Sequence, residues 1–124
     1  MIIAVNGTLM RGLSLNHVMI NSGAKFIEEA KTSPVYRLWS IKDNYPGMMR
    51  VPENGKSILL ELWQISKEGL IDILKNEPPG LTLGKILLFD NRTVLGILAE
   101  SYIITGCTDI TSWGGWRPYI NKIT

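Results

Sequence analysis

The chain has 124 residues, a formal net charge of +2 at pH 7, one Cys and one His. That length suits one domain, 1–124, with a core that needs no covalent staples. The small charge, without a Lys/Arg block, argues against nucleic acid, and the lone Cys107 and His17 exclude a disulfide framework and a Cys-based zinc site.

The apolar run at the start has no basic residues before it and is too short for a signal peptide or a membrane span. A soluble cytoplasmic protein with no membrane contact, no metal and no cofactor is expected. Ile2, Ile3, Ala4 and Val5 read as a short buried strand. It runs into Asn6-Gly7-Thr8-Leu9-Met10-Arg11-Gly12, a Gly-bounded loop. A strand ending in such a loop can turn several N–H groups toward one point, a concavity that suits an anion. The span 13–21 is expected to be a short helix capped by Ser14 and stopped at Asn21-Ser22-Gly23. Ala24 to Lys31 carries apolar groups at Ala24, Phe26, Ile27 and Ala30, which fits helix or strand.

Val35 to Ile41 is aromatic and β-branched and reads as a strand, with a turn at Lys42-Asp43-Asn44. Tyr45-Pro46-Gly47 reads as a turn set before an apolar run, and Pro52 to Gly55 as a hairpin turn. Ser57 to Ile65 is a strong strand. Ser66 then caps a helix with Leu70, Ile73 and Leu74 at helical spacing, which Glu77-Pro78-Pro79-Gly80 stops. Leu81 to Phe89 and Thr93 to Thr105 pair as a hairpin across Asp90-Asn91-Arg92. The second of these strands is apolar on both faces, as in a barrel or a covered sheet. A brief helix over 116–122 closes the chain. The sum is an α+β domain, a small mixed β-barrel with short flanking helices.

Several groups have the chemistry of a site. Glu100 is expected inside the most apolar strand, where a bare carboxylate costs several kcal/mol unless paired or protonated. Glu61 shares a strand face with Leu59 and Trp63. Arg37 and Arg50 are available cations. These four groups read either as structural ion pairs or as an acid/base carboxyl with an Arg that binds a substrate carboxylate. His17 sits just past the Gly-bounded loop. Glu77 stands at the unfavourable end of its helix for the helix dipole, a small misfit that points to a role. Trp113 and Trp116 read as lid or core packing, and Asp109, Thr111 and Arg117 as groups that cap or orient.

Val5 to Gly12, the Pro46-Gly47 segment, and the strand ending Leu62-Trp63-Gln64-Ile65 before a capped helix occur in this order in the γ-glutamylcyclotransferase-like family, which the chain resembles. It is more similar still to the C-terminal domain of allophanate hydrolase. That likeness is carried by Leu13-Ser14-Leu15-Asn16-His17, Gly23-Ala24, Tyr36-Arg37-Leu38, Arg50, Leu81 to Gly84, Gly96 with Glu100, Asp109-Ile110-Thr111 and Gly114-Gly115-Trp116-Arg117. Asn6 stands where the wider family usually has Tyr, and Pro78 where it has Gly.

The resemblance implies a cavity between the 6–12 loop, the Tyr45-Pro46-Gly47 segment and the Trp113 to Arg117 tail. A small anionic ligand would be held by Asn6, Gly7, Thr8, Leu9 and Met10, with Arg37, Tyr45, Pro46, Gly47, Arg50, Trp116 and Arg117 around it. It also implies a proton-moving group: Glu77 for cyclising a γ-glutamyl amine, or His17 for breaking down an N-carboxycarbamate, a task for which Glu100 is the alternative from its place in the apolar strand. The amidase that makes such a compound would be a separate subunit, and this chain a stand-alone domain, catalytic or merely accessory to that amidase.

Overall fold

The computed structural model describes residues 1–124. Strand β1 (Ile2–Val5) takes the centre of a five-stranded sheet, because its run of Ile, Ile, Ala and Val can be buried on both faces. It pairs antiparallel with β5 (Leu59–Gln64) and parallel with β7 (Thr93–Ala99). The outer strands are β2 (Lys25–Lys31) and β6 (Leu81–Leu87), in the order β2-β5-β1-β7-β6. A three-stranded sheet, ordered β4-β3-β8, is built from β3 (Tyr36–Ile41), β4 (Tyr45–Arg50) and β8 (Thr108–Asp109). The helices are α1 (Asn16–Asn21), α2 (Lys67–Asn76) and α3 (Trp116–Ile123).

The core lies between the sheets. Tyr36, Leu38 and Met48 of the smaller sheet join Ile3, Val5, Leu60, Leu62 and Trp63 of the larger in one buried cluster. The expected barrel is therefore corrected to two sheets. The larger sheet curls until its edges touch at one end, where Thr32 bridges Leu88, but β2 and β6 form no ladder beyond that.

Four local expectations are settled or corrected by the structure. The 24–31 segment is a strand: a bulge between Phe26 and Glu28 pushes Ile27 outward, which disguised the alternation. Pro46-Gly47 is not a turn but lies inside β4, with Pro46 opposite Ser40. Pro is tolerated there because β4 is an edge strand and its missing N–H breaks no ladder bond. The reversal is at Lys42 and Asp43, both at positive φ (54° and 58°). Ser14 does not cap α1, whose N-cap position is Leu15 without a side-chain bond. Pro52 to Gly55 links strands of different sheets rather than a hairpin. The Ser66 cap of α2 forms as expected, accepting from the Gly69 N–H at 3.0 Å.

Candidate functional site

The loop after β1 is held so that its two kinds of polar backbone group point to different fates. The carbonyls of Gly7, Thr8 and Leu9 accept from the Met10 N–H, the Leu15 N–H and the Asn16 side-chain amide, at 3.0, 3.0 and 2.9 Å. The N–H groups of Asn6, Gly7, Thr8 and Leu9 donate to nothing in the protein. Buried N–H groups are nearly always paired in folded proteins, so such a run marks a place where an acceptor from outside fits. All four residues line one cavity of about 190 Å³.

The other walls come from Ser14 and Leu15, from Asn44, Tyr45 and Pro46 at the start of β4, from Glu77 and Pro78 after α2, and from Leu81 and Ile97. Gly7 is obligatory at the loop–β4 contact, since a Cβ there would lie 2.5 Å from Pro46 Cδ. Asn6 is buried and its Nδ2 donates to the Ile97 carbonyl at 2.9 Å.

No Lys, Arg or His lines the cavity. Its one carboxyl is Glu77, half-buried and without an ion pair or a hydrogen bond to its side chain. Burial pushes the Glu77 carboxyl above the usual carboxylate range. The Tyr45 phenol is also raised, chiefly by burial and further by the charges of Cys107, Glu77 and Tyr102. A raised acid among uncharged walls and free N–H groups can hold an anion and hand it a proton.

The other expected site residues lie elsewhere. His17 is exposed on α1 and outside the cavity. Glu100 is also exposed, because β7 ends at Ala99 and Glu100 opens a 3-10 turn, with its own N–H donating to the Gly80 carbonyl. Met10 belongs to the core, and Gly47 packs toward Ala99 and Ile104. Arg37 binds Asp109 at 2.9 Å and the Asn54 carbonyl, whereas Arg50 is exposed and unpaired. Trp116 is buried beside Tyr119, with ring centroids 5.7 Å apart. Arg117 reaches the rear of the loop, where Nη2 donates to the Arg11 carbonyl. The cavity thus gathers Asn6, Gly7, Thr8, Leu9, Tyr45, Pro46 and Glu77, and not the 113–117 tail.

Asn16 of the Leu-Asn-His segment, which the sequence did not single out, donates its side-chain amide to the Leu9 carbonyl and so helps to hold the loop. Nowhere do three or more His, Cys, Asp or Glu side chains gather as a metal site would require, and no helix is long and apolar enough to cross a membrane.

A curled five-stranded sheet facing a smaller one, with a cavity where β1 ends, defines a mixed α+β domain. Its fold is shared with an aig2-like protein of Mus musculus, at 21% identity, a TM-score of 0.62 and coverage of 79% of this chain and 74% of that one. Within that class the chain belongs to the allophanate hydrolase C-terminal domain family, whose model matches residues 1–121.

The urea amidolyase of Saccharomyces cerevisiae is 30% identical over 128 residues, covering 98% of this chain but only 7% of that protein. Kluyveromyces lactis allophanate hydrolase superposes with a TM-score of 0.94 at 29% identity, over 99% of this chain and 21% of that one. A uropathogenic E. coli-specific protein superposes equally well, with a TM-score of 0.94 at 48% identity, over 97% of this chain and 94% of its own.

Proposed function

We propose that the chain binds a small carboxylated amide in this cavity and assists its breakdown, as the decarboxylation of an N-carboxycarbamate-like compound in urea and allophanate metabolism. The observation that carries the reading is Glu77, a buried-side carboxyl with no cation beside it, sharing a cavity with four unpartnered N–H groups. The loop N–H groups hold one carboxylate. Glu77 gives its proton to the ligand nitrogen as the bond from nitrogen to the other carboxylate breaks. The electron pair of that bond goes to nitrogen, the departing group leaves as neutral carbon dioxide, and a carbamate remains. Water reprotonates Glu77, and the same step on the carbamate yields ammonia and a second carbon dioxide.

Two features favour this chemistry. Burial keeps the Glu77 proton available at higher pH than an ordinary carboxyl would. The apolar walls at Val5, Leu9, Pro46, Leu81 and Ile97 disfavour the charged carboxylate relative to carbon dioxide. His17 and Glu100 take no part. The chain spans a small fraction of its curated relatives' length, and an amidase outside residues 1–124 supplies the compound.

With allophanate and such an amidase, adding the chain is expected to speed ammonia release. Glu77→Gln should cut that gain by about 10²-fold or more, and His17→Ala should leave it intact. No gain over the amidase alone overturns the reading. A gain that survives Glu77→Gln marks an accessory module acting on the amidase instead.

A second reading is γ-glutamyl cyclotransfer, favoured because Glu77, the residue that the γ-glutamylcyclotransferase resemblance makes the acid/base, lines the cavity. Release of 5-oxoproline from a γ-glutamyl amine, lost in Glu77→Gln, would select it.

A further inference from the structure

We infer that Glu61 and Arg117 form a clamp that sets the shape of the anion-binding loop, so that α3 controls a cavity to which it contributes no wall. The inference rests on the cavity being a carboxylate site. Glu61 holds both ends of the loop. Its backbone lies opposite Val5, the last residue of β1, and its Oε1 accepts the Arg11 N–H at 2.9 Å. Arg117 grips the other side of the same residue, with Nη2 donating to the Arg11 carbonyl at 2.6 Å and to Glu61 Oε2 at 3.2 Å. The Arg11 side chain and Trp63 add donations from Nε to Oε2 at 3.0 Å and from Nε1 to Oε1 at 3.1 Å. Glu61 is 0% exposed, so its carboxylate depends on these charged hydrogen bonds and not on water.

A loop that keeps a row of N–H groups unpartnered is at a disadvantage against any conformation that turns them to protein acceptors. Something outside the loop must forbid those conformations. A carboxylate fixed by several donors in a dry place does so, because it cannot rotate without losing charged bonds. Arg117 completes it by holding the Arg11 peptide on its carbonyl side. Glu61 and Arg117 are therefore positioning residues, acting through Arg11 on the N–H groups of residues 6–9.

The test uses Arg117→Met, close in length but without donors, and Arg117→Lys, which keeps a charged donor. The probe is sodium malonate, whose carboxylates flank one CH2 as those of N-carboxycarbamate flank one NH. Titration followed at the backbone amides by NMR is expected to give saturable shifts at Gly7, Thr8 and Leu9 in the parent chain. Binding should weaken about tenfold in Arg117→Met and largely recover in Arg117→Lys. Without malonate, hydrogen exchange of the Arg11 amide should quicken about tenfold in Arg117→Met, while the amides between β1 and β5 keep their protection. Unchanged Arg11 protection in Arg117→Met overturns the clamp, and so does a uniform loss of protection across the sheet. If malonate moves none of the loop amides in the parent chain, the carboxylate reading of the cavity fails, and the exchange measurement still decides the clamp.

Discussion

Replacing Glu61 by Ala asks how much of the fold depends on one buried carboxylate. The side chain accepts from the Arg11 N–H, Arg11 Nε, Trp63 Nε1 and Arg117 Nη2. Breaking a buried ion pair from one side costs ~3–5 kcal/mol, because the other charge stays behind unpaired. Arg11 softens this. Its side chain is 44% exposed and keeps Glu29 at 3.1 Å and the Phe26 ring at 3.6 Å, so it can return to water. Arg117, at 24%, can do so less. The lower end, ~3 kcal/mol, is expected, a large part of the ~5–15 kcal/mol that holds a domain together.

At this chain length such a loss lowers the melting temperature by roughly 10 °C. Urea titration at pH 7 measures it, and a cycle with Arg117→Ala should show a coupling of ~1–2 kcal/mol. The pH dependence has a definite sign. Burial pushes the Glu61 carboxyl up, but donors from Arg11, Trp63 and Arg117 outweigh it and hold the group below the ordinary range. A carboxyl depressed by folding adds stability above its unfolded pKa and loses it as pH falls through the folded value. The gap between parent and Glu61→Ala should therefore be full at neutral pH and narrow in acid below about pH 4. A loss under ~1 kcal/mol at pH 7, or a gap that does not narrow in acid, would refute the reasoning.

Glu77 has the opposite sign. Because burial raises its carboxyl, its contribution is present below the unfolded pKa and is lost as pH rises through the folded value, so Glu77→Gln should be more stable than the parent at neutral pH and level with it in acid, read by urea midpoints across pH. Gly7→Ala sets a Cβ against the rigid Pro46 ring, 2.5 Å from Cδ and 2.7 Å from Cγ. It should cost ~1–3 kcal/mol in a urea titration and abolish malonate shifts at Thr8 and Leu9. Ser66→Ala removes the cap that accepts the Gly69 N–H, a loss of ~1 kcal/mol by thermal melting, with malonate affinity unchanged because the cap lies at the far end of α2 from Glu77.

The site was half legible in the chain itself. The Gly-bounded loop stood out because its signal is local: an apolar strand run that ends at Asn6-Gly7, with a second glycine at Gly12. Glu77 was readable from its place beside Pro78-Pro79. Glu100 misled because an apolar run does not say where a strand stops; β7 ends one residue before it, where Leu81 finds its last partner in Ala99. Arg37 and Arg50 were plausible as cations for an anion. Arg37 is instead taken by Asp109, and neither lines the cavity. His17 was singled out for its chemistry, yet Asn16 next to it acts on the loop, through a side-chain bond to a backbone carbonyl that no residue type announces.

By itself the sequence determined what depends on neighbours within a few positions: the buried run of β1, the capped α2, the Pro-Pro-Gly stop, the strand-rich composition and the family. Tertiary structure decided which distant groups meet. Two sheets rather than a closed barrel follow from β2 and β6 forming no ladder, with a single bridge from Thr32 to Leu88 just past their ends. The role of Glu61 follows from partners 50 and 56 residues away, at Arg11 and Arg117. A charge interacts with whatever the fold brings within a few ångströms, and separation along the chain says nothing of that distance. The N–H groups of the opening loop were always going to be donors; only the folded chain, by occupying the carbonyls of Gly7, Thr8 and Leu9 and sparing the N–H groups, left them free to face a cavity.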